Sequence, residues 1–529
     1  MIMGTRKDKS SKGYGVRLPA ATLLSLFSLL FLLSCGGSLV AGGGTGGTGI
    51  GPVTGFGSVR VGGVEFFDDN TTAVIDDEER GIDNVVEGMM VTVHGTMDAN
   101  FRLGTAVTIM IEREVRGPVD DNGAALDNNT LKVLGQTILT SPATVFTAFG
   151  GGEIDLRQIK SELDAGLHPE LEVHGGVDDR GFIHATFVGQ GRDNVVANDN
   201  VGLRGKISDL NGGGMSFRIG GQVVNYAAMP PSGRLNWPIT GLSDGLIVDV
   251  RGRLDAVGGG GIVRAERIEV KKPAIGNPQD RVRMEGYVVS GTVSGFVMTV
   301  PNGTVSVSGG VPSGGPFGIG RRVEVRGVVM GTIVQASSVK VLVPNDVLME
   351  ASPTALPGDP GMTSTTMKML GKVVETNDLT LFKDESGGIR SNFDLTKLSR
   401  TDRVRVVGFF DNSTVPGKVV AASVERTGGG VATGAPVTLQ GPIGESAPVS
   451  PNRITIIGIL VRTGMRNNTD YYEAGDVPTD QAGFFASLSQ GTVVRVTNGL
   501  FSDSPPVIDD PDPAAGFGRM VVETEVIND

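Results

Sequence analysis

A single cysteine, Cys35, stands in a chain of 529 residues, so neither an intramolecular disulfide nor a cysteine-built metal cluster can form within one chain. Aromatic residues make up only 5%, with one tryptophan, Trp237, and there are only four histidines. Few side chains are left for stacking or imidazole chemistry. Net positive charge is also lacking: the formal charge is −12, and since residues 1–17 carry +4 (Arg6, Lys7, Lys9, Lys12 and Arg17 against Asp8), the remainder stands at −16. Such a chain gains no counterion-release energy from a polyphosphate, which argues against nucleic acid as a partner. No long apolar run exists either. The uncharged stretch 20–33 would reach about 21 Å as a helix, short of the roughly 30 Å of a bilayer core. After its basic start it reads as a signal-peptide core, residues 1–34, and not as a membrane span.

That core runs out in Leu32-Leu33-Ser34-Cys35-Gly36, which resembles the lipobox of bacterial lipoproteins. Small residues around the bond admit a peptidase, and the Cys35 thiolate is the nucleophile that takes the diacylglycerol. By resemblance, the absence of Asp at position 36 implies sorting to the outer membrane. Residues 35–50 are Gly-rich and read as a flexible tether. Gly42, Gly44 and Gly47 have the spacing of a dinucleotide fingerprint, but no strand is expected before them and no helix after.

Glycine, by contrast, is abundant: 81 glycines and 27 prolines accompany 39% hydrophobic residues. Frequent turns with globular apolar content predict many short strands. Self-similarity organises them into six units. Each opens on a short apolar segment with a glycine, at Gly51, Gly117, Gly205, Gly286, Gly371 and Gly441. Each then reaches an alternating strand carrying Val91 and Val93, Leu171 and Val173, Val248 and Val250, Val323 and Val325, Val404 and Val406, or Val494 and Val496. A glycine comes two residues later in five units (Gly95, Gly175, Gly252, Gly327, Gly408), and Asn498 takes that place in the sixth. Five units close on alanine with an aliphatic residue three positions on: Ala106 and Ile109, Ala185 and Val188, Ala265 and Ile268, Ala336 and Val339, Ala421 and Val424. A spacing of three puts both side chains in one core only if a β-bulge intervenes. A short helix fits 154–165, where Leu156, Ile159 and Leu163 recur at helical spacing. Three strands, a helix or turn and two more strands is the order of an OB-type barrel.

These motifs resemble the repeats of bacterial lipoproteins assigned to domain of unknown function 5666, a family that implies no activity, substrate or catalytic residue. The fold expected is therefore all-β, a tandem array of about six small OB-like five-stranded β-barrels after a lipoprotein signal peptide. The units are placed at 51–116, 117–200, 201–275, 276–348, 349–430 (opening with a linker at 352–366) and 431–529, with an insertion at 502–516 that puts closure of the last in doubt. Contacts in such arrays are mostly local, so the units are expected to fold separately.

Candidate chemistry is sparse. Gly241-Leu242-Ser243-Asp244-Gly245 matches a nucleophile-elbow spacing, yet it precedes a repeat strand and no helix. His94 and His174 share a repeat position occupied elsewhere by Arg251, Arg326 or Val407, which suggests an outward side chain. If residues 178–180 form a hairpin turn, His174 faces His184, with Glu172 on the same face, a set that could hold a divalent ion. A solvated cross-strand polar pair is the reading the sequence favours, because sister units lack the set. Acidic clusters (Asp68 and Asp69; residues 76–79; Asp503, Asp509, Asp510 and Asp512) lack the spacing of a calcium loop and read as solvated turns. Trp237 with Tyr226 could form a saccharide-stacking platform on the third unit, although packing at a barrel end is the blander role. The sequence thus favours a non-enzymatic, lipid-anchored binding or scaffolding protein of the cell envelope. It would lie on the periplasmic or surface side, with the membrane and an envelope protein or polysaccharide as partners, and no cofactor is indicated. A metal-assisted hydrolase at His174, His184 and Glu172, or a saccharide-binding barrel array, is the alternative.

Overall fold

Alternation along the chain decides the local structure. In Arg322–Met330 the residues Val323 and Val325 are fully buried while Arg322 and Arg326 point out of the barrel, the two-residue period of a strand with one apolar face. The computed structural model describes residues 45–68, 71–75, 78–120, 129–148, 154–257, 260–384, 392–432, 434–444, 452–463, 469–473, 477–509 and 518–522. Nearly all of their regular structure is β. The two α-helices among them are Leu156–Asp164, capped by the Asp155 carboxylate accepting from the Gln158 N–H, and Gln481–Ser487. None of these helices is long and apolar enough to cross a membrane.

The fourth unit shows the plan. Its strands are Arg281–Thr292, Gly295–Val300, Gly303–Ser308, Arg322–Met330 and Ile333–Val341. The first pairs with the second, the second with the third and the third, in parallel, with the fifth. The fifth then pairs with the fourth and the fourth with the first, which closes the barrel. This is OB topology. The segment between third and fourth strands, a helix in many such barrels, here contributes a short strand, Pro312–Ser313, that extends the parallel pairing of the fifth.

The bulge required by the alanine motif is present in five units. Opposite Gly95, Gly175, Gly252, Gly327 and Gly408 the register shifts by one residue. Val107, Thr186, Glu266, Ser337 and Ala422 are the extra residues, and both members of every alanine–aliphatic pair are buried.

Several boundaries differ from expectation. Residues 45–50, assigned to the tether, belong to the first strand, Thr45–Gly55. The fifth unit opens not at Gly371 but on Val347–Ala351, whose Ala351 and Met349 pair with Val404 and Val406 as Gly286 and Met284 pair with Val323 and Val325. Alanine in place of the glycine hid this strand. Leu370 and Gly371, both at positive φ, instead turn the hairpin between second and third strands. The stretch 352–366 therefore lies inside the fifth unit and does not link two units. In the sixth, the fifth strand is divided into Pro506–Asp509 and Gly518–Val522, both paired with Val493–Asp503, so the insertion falls where the others have a single bulge residue.

The units are not strung in a line of neighbours. Their first strands join barrels in pairs: the first and fourth units share one sheet (Thr48 beside Val282), the second and third another (Leu203 beside Val115), the fifth and sixth a third (Met349 beside Leu439). Cores merge accordingly. One apolar cluster spans the second and third units and another the fifth and sixth, Ile50 of the first unit enters the core of the fourth, and Phe187 of the second packs in the core of the first.

Candidate functional site

The proposed metal trio does not assemble. The loop after Val177 runs through Asp178–Phe182, one residue pair longer than a tight turn at 178–180, and the bulge adds a further shift, so His174 pairs with Phe187 and His184 with Gly176. His174 is not outward to solvent but completely buried where the first two units meet: Nδ1 is 2.8 Å from the Glu112 carbonyl oxygen and Nε2 3.1 Å from Glu172 Oε1. Burial raises the Glu172 pKa, but the hydrogen bond with His174 and the Arg113 guanidinium more than reverse this and hold it at about 2. His184 turns the other way, 3.2 Å from Asp178 Oδ2 and stacked on Tyr287 of the fourth unit at 4.5 Å between ring centroids. Among the described residues no group of three or more His, Cys, Asp or Glu side chains is placed to hold a metal ion. The repeat position shared by His94 and His174 faces out of its own barrel, yet neighbouring elements cover it: His94 Nδ1 lies 3.1 Å from Thr48 Oγ1, and the equivalent Arg326 meets Glu324 and, 3.4 Å away, Asp378 of the fifth unit.

Ser243 sits in a loop between Gly241 and Gly245, both at positive φ, with no helix after it. Of the acidic clusters, Asp509 pairs with Arg462 at 2.7 Å and Asp503 with Lys368 at 3.7 Å, while Asp69, Asp76, Asp77, Asp510 and Asp512 lie outside the described residues, as does Cys35. Tyr226 and Trp237 do meet, edge to face at 6.1 Å, half-buried against the core of the third unit.

Trp237 also leads to the most unusual polar arrangement of the chain. Arg204, on the first strand of the third unit, is buried with three carboxylates around it: Glu112 at 2.9 Å, Asp249 at 3.5 Å and Glu114 at 3.8 Å. Asn302, on a hairpin of the fourth unit, donates to Glu112 Oε1 at 2.9 Å. Four units thus meet here, because Glu112 and Glu114 lie on the connection from first to second. Burial pushes the Glu114 pKa up to about 7, with Arg204 opposing and Glu112 and Asp249 reinforcing the rise. Two buried groups keep hydrogen-bonding capacity that no atom of the described residues uses, the Nε of Arg204 and the Oδ1 of Asn302. Both residues line two clefts. One, about 800 Å³, lies among the second, third and fourth units, and the other, about 790 Å³, between the first and third and walled by Trp237, Pro238 and Ile239. Sequence reasoning missed this junction, since its members are single charges on separate strands and only the pairing of units brings them together.

A second buried knot ties the first, fourth and fifth units. Arg283 is fully enclosed, donating to the carbonyls of Gly63 (2.7 Å) and Phe101 (3.0 Å) and pairing with Glu324 and with Asp378 at 2.9 Å.

The model of a domain of unknown function, DUF5666, matches residues 116–188 and 361–425. The first match runs from opening to closing strand of the second unit. The second covers the fifth unit without its first strand. The chain therefore carries OB-like barrels similar to that domain, repeated about six times by structure. No curated protein matches the chain.

Proposed function

We propose that this chain is an exported, lipid-anchored binding protein of the bacterial envelope, attached to the outer membrane through Cys35 and taking a ligand in the clefts between its barrels. The observation that carries the reading is the Arg204 junction. An unsatisfied buried donor or acceptor costs about 1–3 kcal/mol, and two residues that carry such groups while lining clefts of ligand size are the mark of a binding surface more than of a spacer. The basic leader and the lipobox-like residues before Gly36 support the address. The role proposed is non-enzymatic, in keeping with the rings of His94, His174 and His184 being engaged by other groups of the chain.

In a bacterial host the wild-type chain should need detergent for extraction, since several acyl chains hold firmly where one does not. Cys35→Ser should leave an unlipidated chain that keeps its leader or enters the soluble fraction, and normal acylation of that variant overturns the anchor. The purified mature chain should co-sediment saturably with protein-stripped envelope fragments. Failure to do so overturns the binding role.

A further inference from the structure

We infer that the cleft between the first and third units is a saccharide site, a proposal that rests on the reading of the inter-unit clefts as binding surfaces. A pyranose ring offers a C–H face to an aromatic wall and an edge of hydroxyls, each both donor and acceptor, to polar side chains. The cleft supplies both kinds of partner. Trp237, Pro238 and the wholly exposed Ile239 form one wall, and Tyr226 braces Trp237 from behind. The floor carries Asn302 and Arg204, each more than nine-tenths buried, with Asn302 Oδ1 free to accept and Arg204 Nε free to donate.

The charges around that floor select among ligand classes. Asp249 lies 3.5 Å from Arg251 Nε and Glu269 lies 2.9 Å from Lys271 Nζ. Cations and carboxylates alternate, so the cleft presents no field of one sign to draw a polyphosphate, and a wholly apolar ligand would leave Asn302 and Arg204 unsatisfied. Paired charges that bridge adjacent hydroxyls suit a ligand dense in hydroxyls and poor in charge. The cleft lies beside the fourth and fifth strands of the third barrel and is completed by Val74 and Met110 of the first unit, so only the assembled chain contains it.

Because Trp237 is the sole tryptophan, its fluorescence reports on this cleft and nothing else. The full mature chain is titrated separately with maltotetraose, cellotetraose, N-acetylated chitotetraose and mannotetraose. At least one should shift the emission saturably, with half-saturation at or below about 1 mM. Trp237→Ala and, because that change also removes packing, Ala274→Arg, which fills the cleft from its rim, should each weaken binding at least tenfold by calorimetry. No saturable shift with any of the four sugars overturns the proposal, as does unchanged affinity in Ala274→Arg or saturation by a thymidine octanucleotide and by none of the sugars. Should the sugars fail while envelope fragments still co-sediment, the saccharide assignment falls and the binding role stands. Should both fail, both fall.

Discussion

A glycine recurs at one position of five barrels because of what lies across the bulge. A Cβ on Gly327 would sit 2.3 Å from the Gln335 carbonyl oxygen, and the equivalent distances at Gly95, Gly175, Gly252 and Gly408 are 1.8, 2.2, 2.1 and 2.0 Å. No side chain fits without moving the partner strand, so the requirement is close approach and not positive φ. The sixth unit solves the same problem differently: its bulge is opened by an insertion, and Asn498 adopts φ 59°, a conformation asparagine tolerates better than most residues. Gly327→Ala should therefore lower stability by at least about 1–3 kcal/mol, the usual range for overpacking, whereas Asn498→Gly should be near neutral or stabilising. Thermal or urea unfolding of the two variants checks the contrast, and equal effects would overturn this account of the two positions.

At the scale of the element, the first strand of each barrel does two things: it closes its own barrel and pairs with the first strand of another. Thr45–Gly55 lies between Met90–Met97 of its own unit and Arg281–Thr292 of the fourth. The expectation that units unfold one at a time changes accordingly. Val325→Asp places an unpaired carboxylate at a fully buried core position, at a cost of several kcal/mol that a small barrel does not withstand. Loss of the fourth barrel also strips the partner strand from the first and removes Arg283 from the carbonyls of Gly63 and Phe101. Limited proteolysis of Val325→Asp should cut within both 45–111 and 281–341 while the fused fifth and sixth units stay protected. Cleavage confined to 281–341 would restore the independent-barrel picture. Arg326→Asp, neutral on a solvent-facing reading, should instead be destabilising, because it sets three carboxylates, with Glu324 and Asp378, around one point.

For the whole molecule, the joints between units make stability depend on pH. Glu87 of the first unit is buried against the fifth, and burial pushes its pKa up to about 8, with Lys383 opposing and Glu425 and Asp384 adding to the rise. Glu114 at the four-unit junction reaches about 7. Both folded values exceed the ordinary 4.5, so between pH 4.5 and about 7–8 the folded chain holds protons that the unfolded chain releases. Their contribution to stability is complete below pH 4.5 and is lost as pH rises through the folded values, by up to about 3 kcal/mol for a shift like that of Glu114. Glu172, lowered to about 2, has the opposite sign: its contribution is present above pH 4.5 and is lost as pH falls toward 2. The melting temperature should therefore peak near pH 5 and decline toward pH 8, and a Glu87→Gln, Glu114→Gln double variant should flatten the alkaline side. A wild-type profile that rises from pH 5 to 8 would contradict this.

The barrels were legible residue by residue, because a β-bulge, a strand pair and a hairpin act between residues close in sequence and impose short periods on the chain. Val323 and Val325, Gly327, and Ala336 with Val339 mark strand, close approach and bulge in the order in which they occur. The fifth unit's first strand was lost only because Ala351 stands where its sisters have glycine. The candidate site left no such trace. Glu112, Arg204, Asp249 and Asn302 come from connections and strands up to 190 residues apart, and each alone reads as an ordinary surface residue; of the site only Trp237 stood out in the sequence, as the sole tryptophan. They meet because first strands pair across units, a choice set by the edges and outer faces of finished barrels. Burial then gave them their chemistry: it raised Glu114, enclosed Arg204 among three carboxylates, and took His174 out of the solvent where its place in the repeat had put it.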